Sequence, residues 1–296
     1  MTPALRNLAS GAAALALLFS GSAMAVEQPP APPVAAQKPM HIMSMNLCTD
    51  LLLLQMVPRT RIASITDVAH DAVEVLFPGA DKGVATNWAT SEDIVNQKPD
   101  LILAIDYGTP RTRKLVTAAL HVPLIQIKPA NDFADIRAAI RQVGAAVGEP
   151  ARAEALIRRM DARLAQIDRS PLPRRMRVVA WSGGDSVPGK DTLTNAIIEA
   201  AGAVNIAAQP GAQSSGFDIE QLLAARPDAL LYGGDYAGKP SLHADEGQHR
   251  LVRLLYGDRR IDYDDVAHEC GLPQSADSAW SIHRALLALP KRSPPL

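Results

Sequence analysis

Aromatic and basic side chains stand where predicted strands end, and this placement suggests ligand binding. Aromatic residues are only 4% of the 296 residues, so their positions are informative. In an open parallel sheet, ligands bind beyond the carboxyl ends of the strands. Flat aromatic faces suit extended apolar ligands, and a lysine or arginine pairs with carboxylates. The candidate ligand-binding residues are Asn46, Trp88, Tyr107, Arg111, Trp181, Lys190, Tyr232 and Tyr236.

Each of these residues also has an ordinary explanation. Trp and Tyr often fill protein cores, and a single exposed basic residue is usually a solvated surface charge. The clustering of the aromatic residues at strand ends favours a pocket over these explanations. Gly183-Gly184 and Gly233-Gly234 also follow predicted strands, but they match neither a dinucleotide fingerprint nor a P-loop. A nucleotide site is therefore not expected.

Short apolar runs predict the strands that position these side chains, and segments with helical spacing lie between them. The predicted strands are residues 41–45, 61–65, 100–105, 122–127, 177–180 and 229–232. The predicted helices include residues 46–57, 111–120 and 192–201. Strands and helices that alternate at short spacing are typical of an α/β protein whose parallel sheets are covered on both faces.

An internal repeat relates the two halves of the chain. Residues 91–103 and 219–231 share the same order: a short helical segment, a basic-Pro-Asp tripeptide and an apolar run. When the two copies are aligned on Pro-Asp, Glu92 falls on Glu220. Proline ends a helix and favours extended backbone, so each copy predicts a short helix, a junction and a strand. The repeat indicates two similar lobes.

A long helix is predicted between the two halves. Apolar residues from Phe133 to Val147 are spaced three and four apart, and a second such stripe runs from Ala153 to Ile167. Pro150 is suited to the first position of the second helix, and Pro171 stops it. A helix of about 18 residues is about 27 Å long, enough to connect two lobes stiffly.

The N-terminus predicts export. Arg6, the apolar run 8–19 and the A-x-A sequence at 23–25 form a cleavable signal peptide over residues 1–25, too short in its apolar part to span a bilayer. Residues 26–39, rich in Pro and Ala, are predicted to be a disordered linker. A periplasmic location follows. The formal net charge of −1 argues against a nucleic-acid partner.

Together these segments resemble a periplasmic binding protein of the iron-siderophore, cobalamin and haem uptake family. The resemblance rests on residues 43–50 after the first strand, on residues 61–65, and on both copies of the repeat. It covers roughly residues 40–290, although residues 243–270 match poorly. It implies two Rossmann-like α/β lobes joined by one long helix. The implied division is an N-terminal lobe at 40–148, a connecting helix at 149–170 and a C-terminal lobe at 175–290.

The resemblance also implies a function. Such a protein captures a ferric siderophore or a cobalamin- or haem-type ligand between its lobes and delivers it to an ABC permease in the inner membrane. One glutamate on each lobe docks with permease arginines, and the repeat carries this role to Glu92 and Glu220. The ordinary alternative is that both are solvated surface residues. The protein is expected to be a monomer, without catalysis and without a cofactor of its own.

Two other classes of protein remain as alternatives. A periplasmic zinc- or manganese-binding protein needs three or four His or carboxylate ligands that converge, whereas the seven His residues are scattered; His70 lies near Asp67 and Asp71. An exported α/β hydrolase needs a nucleophile elbow, and the segment at Trp181 lacks the leading glycine of that motif. Neither alternative has a complete motif.

Cys48 and Cys270 are the only cysteines. An oxidising periplasm permits a disulfide between them. If the two residues lie in different lobes, a disulfide would join the lobes across the cleft. Buried thiols are therefore the expectation from the sequence.

Overall fold

The computed structural model describes residues 38–105, 118, 120–212, 214–233 and 242–290. The signal peptide at 1–25, most of the linker at 26–39, and the ligand-binding candidates Tyr107, Arg111 and Tyr236 lie outside these residues. The described chain begins within the predicted linker. Lys38 pairs with Glu149 at 3.0 Å, and the carbonyl of Pro39 accepts from Arg61 Nε at 2.8 Å.

The first sheet has five parallel strands in the order β3-β2-β1-β4-β5. Its strands are β1 (Ile42–Ser44), β2 (Ile62–Thr66), β3 (Thr86–Asn87), β4 (Leu101–Ile105) and β5 (Leu124–Ile127). Its helices are α1 (Leu47–Met56), α2 (Ala69–Leu76), α3 (Ser91–Gln97) and α4 (Phe133–Ala146), with a 3₁₀ turn at Arg59–Arg61. β1 pairs with β2 on one side and with β4 on the other, where Ile42 is in register with Leu101. The winding of the chain therefore reverses between β1 and β4.

The second sheet has four parallel strands in the order β7-β6-β8-β9. Its strands are β6 (Arg177–Ala180), β7 (Val204–Asn205), β8 (Ala229–Gly233) and β9 (Arg260–Tyr263). Its helices are α6 (Leu193–Ala200), α7 (Ile219–Ala225), α8 (Leu242–Gly247), α9 (Arg250–Tyr256), α10 (Val266–Glu269) and α11 (Gln274–Ala288), with a 3₁₀ turn at Ile206–Ala208. The winding reverses again between β6 and β8. The predicted fold class is confirmed, because each lobe is a parallel sheet with flanking helices.

The connecting helix α5 spans Pro150–Asp168, with Pro150 in its first turn as the sequence predicts. Its apolar stripe is buried at Ala153, Leu156, Ile157, Met160 and Ile167. Burying each of the large side chains contributes about 1.5–3 kcal/mol, and this determines which face of the helix turns inward. The helix packs against α4 on one side and α11 on the other, so it touches both lobes.

Gly144 allows α4 to approach α5 closely. A Cβ at this position would overlap the methyl group of Ala153 and lie 3.3 Å from the carbonyl oxygen of Glu149. Two ion pairs on the outer side join the same helices: Arg137 with Asp161 at 2.6 Å, and Arg141 with Glu154 at 2.7 Å. Because they are exposed, these pairs contribute little to stability. Close packing of the backbones is the main restraint.

One hydrophobic cluster runs through both lobes. It includes Leu51 and Ile140 from the first lobe, Met160 from α5, and Ile197 and Ile282 from the second lobe. Smaller clusters cover the outer faces of the sheets: Ile94 of α3 packs on Ile102 in the first lobe, and Leu222 of α7 packs with Leu230 in the second. The lobes therefore share a core along their inner helices, and each has a separate outer layer.

The expectation of two buried thiols is wrong, because Cys48 and Cys270 form a disulfide. Cys48 lies in the first turn of α1, and Cys270 is completely buried at the end of α10. The two residues come from different lobes, an arrangement in which a disulfide is not expected from the sequence alone. The outcome differs because the two lobes already share one core here, so the bond joins segments that pack against each other.

Candidate functional site

The carboxyl ends of the parallel strands define the ligand-binding edge of each lobe. In the first lobe the winding reverses at β1 and β4, and the chain leaving β1 leads to Asn46. In the second lobe it reverses at β6 and β8, and the chain leaving β6 leads to Trp181 and Ser182. Ligands of open α/β sheets bind in the crevice at such a reversal. Two of the predicted residues, Asn46 and Trp181, thus lie beside the two crevices in the fold.

Asn46 is the N-cap of α1. Its side-chain oxygen accepts the backbone N–H of Cys48 at 2.9 Å, and its own carbonyl accepts from Thr49 Oγ1 at 2.9 Å. Such a cap contributes about 1 kcal/mol by pairing a helix N–H that has no partner within the helix. Asn46 is half-buried. Its side chain therefore has a structural role at the edge of the first crevice, and its predicted contact with ligand stays a prediction.

Beneath Asn46 lies a buried carboxyl group. Asp50 accepts from the backbone N–H of Thr66 at 3.2 Å and from the Thr66 hydroxyl, while its Oδ1 has no hydrogen-bond partner among the described atoms. Burial raises the pKa of Asp50 from about 3.8 to about 7, although hydrogen bonds from Ser44 and Thr66 act to lower it. Asp50 ties α1 to β2 behind the ligand-binding edge.

Trp88 is an exposed aromatic residue at the same edge of the first lobe. It follows the carboxyl end of β3, its side chain is 71% exposed, and its backbone N–H donates to Asp93 at 3.0 Å. β3 is the outer strand of the sheet, two strands away from β1. At about 4.8 Å per strand, Trp88 is about 10 Å or more from the crevice between β1 and β4.

Trp181 and Tyr232 are not exposed, which corrects the prediction that their aromatic faces meet a ligand. Trp181 is 1% exposed in the outer cluster of the second lobe, and its Nε1–H donates to the carbonyl of Gly184 at 2.9 Å. Tyr232 is 2% exposed, and the guanidinium of Arg260 lies 3.5 Å from its ring centroid. Both side chains serve core packing beneath the strand ends.

The loops at the second reversal are held together by Ser182. Its hydroxyl donates to the carbonyl of Gly233 at 2.8 Å and accepts the N–H of Gly233 at 2.9 Å. The next loop residues are also held, since Gly184 N–H donates to Glu246 Oε2 at 2.8 Å. The crevice between β6 and β8 is therefore closed by hydrogen bonds at this point, and the open space lies to one side of it.

A cavity of about 1180 Å³ occupies that side of the second lobe. Its walls come from the loops that leave the carboxyl ends of β6 and β7 and from α10 after β9. The lining residues are 186–190, 192–194, 207–212, Ser214 and His268. The walls combine hydroxyl, amide and backbone groups with short apolar side chains, and Lys190 brings the one lysine or arginine among the lining residues.

Lys190 is exposed and has no ion pair with a residue of the described chain. The next residue, Asp191, has a φ of 60°, a left-handed conformation that turns the chain sharply toward α6. Thr192 then caps α6, accepting the N–H of Asn195 at 3.2 Å, while its own hydroxyl donates to the carbonyl of Gly189 at 2.8 Å. The lysine thus stands on a loop fixed at both ends.

His268 forms a neutral polar part of the cavity wall. Nδ1 lies 3.3 Å from Thr194 Oγ1, Nε2 lies 2.8 Å from Ser278 Oγ, and the ring stacks on Tyr263 with centroids 4.0 Å apart. Burial lowers the pKa of His268 to about 3, so the imidazole is uncharged at neutral pH. Burial, together with Asp265 and Glu269, raises the pKa of Tyr263 above its usual range. Because His268 is uncharged, it adds no second positive charge beside Lys190.

Most residues of this wall were missed from the sequence. Residues 207–212 and Ser214 carry no helical or strand periodicity and became prominent only when the fold brought them to face the loop of Lys190. The Pro-Gly pair at 210–211 signalled a turn but gave no indication of a ligand. In the sequence, His268 is one of seven scattered histidines.

Glu92 and Glu220 occupy matching positions at the ligand-binding edges. Each is exposed in the first turn of a seven-residue helix, α3 or α7. Thr90 caps α3 and Asp218 caps α7, each with a capping box. Helix α3 follows the carboxyl end of β3, and α7 follows the carboxyl end of β7 after a 3₁₀ turn and a loop. Glu92 borders a shallow depression of about 470 Å³ together with Ser91, Val95 and Asn96.

Two properties of the described residues concern membranes and metals. No helix in that part of the chain is both long and apolar enough to cross a lipid bilayer. No group of three or more His, Cys, Asp or Glu side chains is arranged there to hold a metal ion.

The chain belongs to the periplasmic binding protein family, whose model matches residues 52–253. Proteins of this family bind small ligands for ABC importers. The chain is therefore a periplasmic binding protein that binds a small ligand and partners with an ABC permease. A comparison with curated proteins finds no match.

Several solved structures share the fold. The apo periplasmic haem-binding protein RhuT from Roseiflexus sp. RS-1 has a TM-score of 0.67 and 23% identity, covering 83% of this chain and 97% of its own. The periplasmic haem-binding protein HutB of Vibrio cholerae has a TM-score of 0.69 and 16% identity, covering 83% of this chain and 98% of its own. The molybdate-binding protein MolA of Haemophilus influenzae has a TM-score of 0.64 and 16% identity, covering 83% of this chain and 85% of its own. At these identities the likeness concerns the fold.

Proposed function

We propose that this protein captures a bulky metal chelate at the ligand-binding edges of its lobes and delivers it to an ABC permease of the inner membrane. The observation that carries the proposal is the cavity of about 1180 Å³ beside Lys190. Pockets for small organic ligands usually measure about 300–1,000 Å³, so this volume suits a bulky ligand rather than a bare ion. The proposed lobes and connecting helix keep the bounds 40–148, 149–170 and 175–290.

The chemistry of the cavity wall favours an anionic, oxygen-rich ligand. Lys190 supplies one positive charge, Thr192 and Ser214 supply hydroxyl groups, and His268 stays neutral. Carboxylate, catecholate or hydroxamate oxygens of a ferric siderophore match these donors. We therefore favour a ferric siderophore as the ligand.

Haem is the second candidate, with cobalamin as the remaining member of the class. The propionates of haem would pair with Lys190 as the siderophore oxygens do. The fold likeness to the haem-binding proteins RhuT and HutB adds support. Tyr107, Arg111 and Tyr236 keep their proposed ligand-binding roles; they lie outside the described residues.

Docking to the permease is proposed for Glu92 and Glu220. Both are exposed acids in first turns of equivalent helices, and both stand at the edge where ligand is held. A ligand released from that edge then enters a permease seated on the same side. Matched acids on two lobes suit a permease built from two related halves.

The surface around Glu92 has exposed apolar side chains that the equivalent surface around Glu220 lacks. Trp88 is 71% exposed and Val95 is 48% exposed. In the repeat, Trp88 corresponds to Gly216, and Val95 corresponds to the half-buried Leu223. Buried tryptophan side chains dominate the binding energy of many interfaces. We therefore assign Trp88 to the docking surface of the first lobe rather than to the ligand.

Export is proposed to follow cleavage of residues 1–25, leaving residues 26–39 as a tether. The mature protein is proposed to act as a monomer and without catalysis. The absence of catalysis is tested by incubating the protein with its bound ligand for a long time, after which the ligand should be recovered unchanged. A chemically altered ligand would contradict it.

Dialysis of the purified protein against candidate ligands tests the ligand class. Ferric hydroxamate, ferric catecholate, ferric citrate, haem and cobalamin each have a distinct absorbance, so the retained ligand is read directly. One of the three ferric chelates is expected to remain at one equivalent per protein. Retention of haem alone, with a Soret band, would replace the favoured ligand by the second candidate. Retention of none, with zinc or manganese bound instead, would contradict the proposal.

Reversal of both docking charges tests delivery. Glu92→Arg together with Glu220→Arg should abolish ligand uptake through the cognate permease while leaving ligand affinity unchanged. Glu74→Arg, at a surface acid of α2, is the matched control and should leave uptake unaffected. Loss of affinity in the docking variant, or full uptake, would remove the assignment.

A further inference from the structure

The Cys48–Cys270 disulfide joins the two lobes through segments that follow the carboxyl end of a strand in each sheet. Cys48 follows β1 by four residues, in the first turn of α1. Cys270 follows α10, which itself leaves the carboxyl end of β9. Along the described backbone, the chain passes from the first sheet to the second once, through α5. The disulfide is therefore a second covalent connection between the lobes.

The segment next to the disulfide touches the first lobe directly. Gly271 has no side chain, and a Cβ there would overlap the methyl group of Ala130 and lie 3.1 Å from Ile136 Cγ1. Ala130 follows β5, and Ile136 is completely buried in α4. The backbone of the second lobe thus rests on two elements of the first lobe, with no space for closer approach.

Polar contacts extend the same junction toward α5. Gln274 Nε2 at the start of α11 donates to Gln55 Oε1 of α1 at 2.9 Å. The carbonyl of Gln55 also accepts from Arg152 Nε of α5 at 3.0 Å. Farther along, Arg163 of α5 pairs with Asp277 of α11 at 2.6 Å. First lobe, connecting helix and second lobe are thus joined at several points along α5 and α11.

Two separate attachments restrict motion more strongly than one. A single helical connection permits bending about its own ends, whereas a second covalent bond leaves rotation only about the line through both attachments. Contact of Gly271 with Ala130 blocks closure at the disulfide itself. We propose that the Cys48–Cys270 disulfide locks the spacing of the two lobes beside this contact.

The lock does not require a ligand. The lock is therefore tested on the ligand-free protein, and its failure is distinct from failure of the proposed ligand. Both native cysteines are in the disulfide, so no free native thiol competes with an introduced label.

Distances between spin labels measure the lock. Val75 of α2 and Leu254 of α9 are exposed positions in different lobes, and each is changed to Cys and labelled with a maleimide nitroxide. In the protein with the native disulfide, the distance distribution is expected to be narrow. In the Cys48→Ser, Cys270→Ser variant it is expected to be at least twice as wide. Equal widths in the two proteins would overturn the proposal.

A label pair within one lobe is the matched control. Val75 and Val95 are both exposed in the first lobe, and their distance distribution should be the same with and without the disulfide. Broadening of this pair too would mean general loosening and would overturn the lock. If the serine variant fails to fold, the labelled native protein is reduced with a phosphine, which leaves the maleimide label in place. Broadening of the Val75–Leu254 distance alone on reduction is again expected, and no change would overturn the proposal.

Discussion

Asp100 and Asp228 hold equivalent strands of the two lobes in the same way. The N–H of Asp100 donates to the carbonyl of His41 at 2.9 Å, and its carboxylate accepts the N–H of His41 at 3.0 Å. The N–H of Asp228 donates to the carbonyl of Arg177, and its carboxylate accepts the N–H of Arg177 at 2.8 Å. Each aspartate thus fixes the start of the strand next to its own, β1 or β6.

Asp228→Asn should destabilise the protein by about 1–3 kcal/mol, because Asp228 also accepts two hydrogen bonds from Arg174, at 2.8 and 2.9 Å. The matched control is Asp100→Asn, where the carboxylate is exposed and pairs with backbone N–H groups. Its loss should be smaller. Urea unfolding measures both. A change of less than about 0.5 kcal/mol for Asp228→Asn, or a larger loss at Asp100, would contradict the assigned roles.

The repeat could be predicted from the sequence because its signals are local. Proline, the capping residues and the apolar run that follows each act within a few positions. α3 and α7 end as predicted, at Lys98 and Arg226, which share a left-handed backbone with φ 46° and ψ 58°. Helix α5 could be predicted for the same reason, since its apolar spacing and Pro150 are read from neighbouring residues.

The ligand-facing side chains could not be predicted as reliably. A position after a strand does not determine whether the side chain turns inward, and Trp181 and Tyr232 both do. Lys190 is a sequence candidate because its charge stands out in a loop, whereas the wall at 207–212 and Ser214 depends on the placement of β7 beside β6. The disulfide depends on contact between residues 222 positions apart, for which the sequence carries no local signal.

Removing the disulfide should lower stability considerably. The bond spans 222 residues, and loops of this length lose much conformational entropy in the unfolded chain when they are closed. The Cys48→Ser, Cys270→Ser variant is expected to lose about 2–5 kcal/mol in guanidinium unfolding, compared with the native protein under non-reducing conditions. The same variant should match reduced native protein within about 1 kcal/mol, and full stability in either would contradict the expectation.

Asp50 should make stability depend on pH in an unusual direction. Its pKa is about 7 in the folded protein and about 3.8 when exposed, so between these values the folded state binds the extra proton. The stability that the neutral carboxyl contributes is complete below about pH 4 and is lost as the pH rises through 7. The loss is on the order of a few kcal/mol.

Asp50→Asn removes this titration, so its stability relative to native protein should improve from pH 5 to about pH 7 and then level off toward pH 8. Thermal unfolding across that range measures the difference. Asp67→Asn, at an exposed carboxylate after β2, is the control for loss of a carboxylate without burial, and the pH dependence of Asp50→Asn is expected to exceed that of this control. If the stability of the native protein and of Asp50→Asn changed with pH in parallel, Asp50 would not be the source of the pH dependence.

Lys190 should contribute to ligand affinity through its charge. Lys190→Ala should weaken binding of the retained ferric chelate by about 10- to 100-fold, the usual range for one charged hydrogen bond. Lys82→Ala removes an exposed lysine away from the cavity and should bind as the native protein does. Titration at two salt concentrations measures both variants. Equal affinities for Lys190→Ala and Lys82→Ala would place the ligand elsewhere.

The most direct test of the account is amide hydrogen exchange of the protein with and without the retained chelate. Binding in the second-lobe cavity predicts slower exchange in residues 186–194 and 207–212, with α9 on the outer face unchanged. Protection confined to other segments, with no change in either cavity loop, would contradict the proposed site and with it the proposed mode of capture.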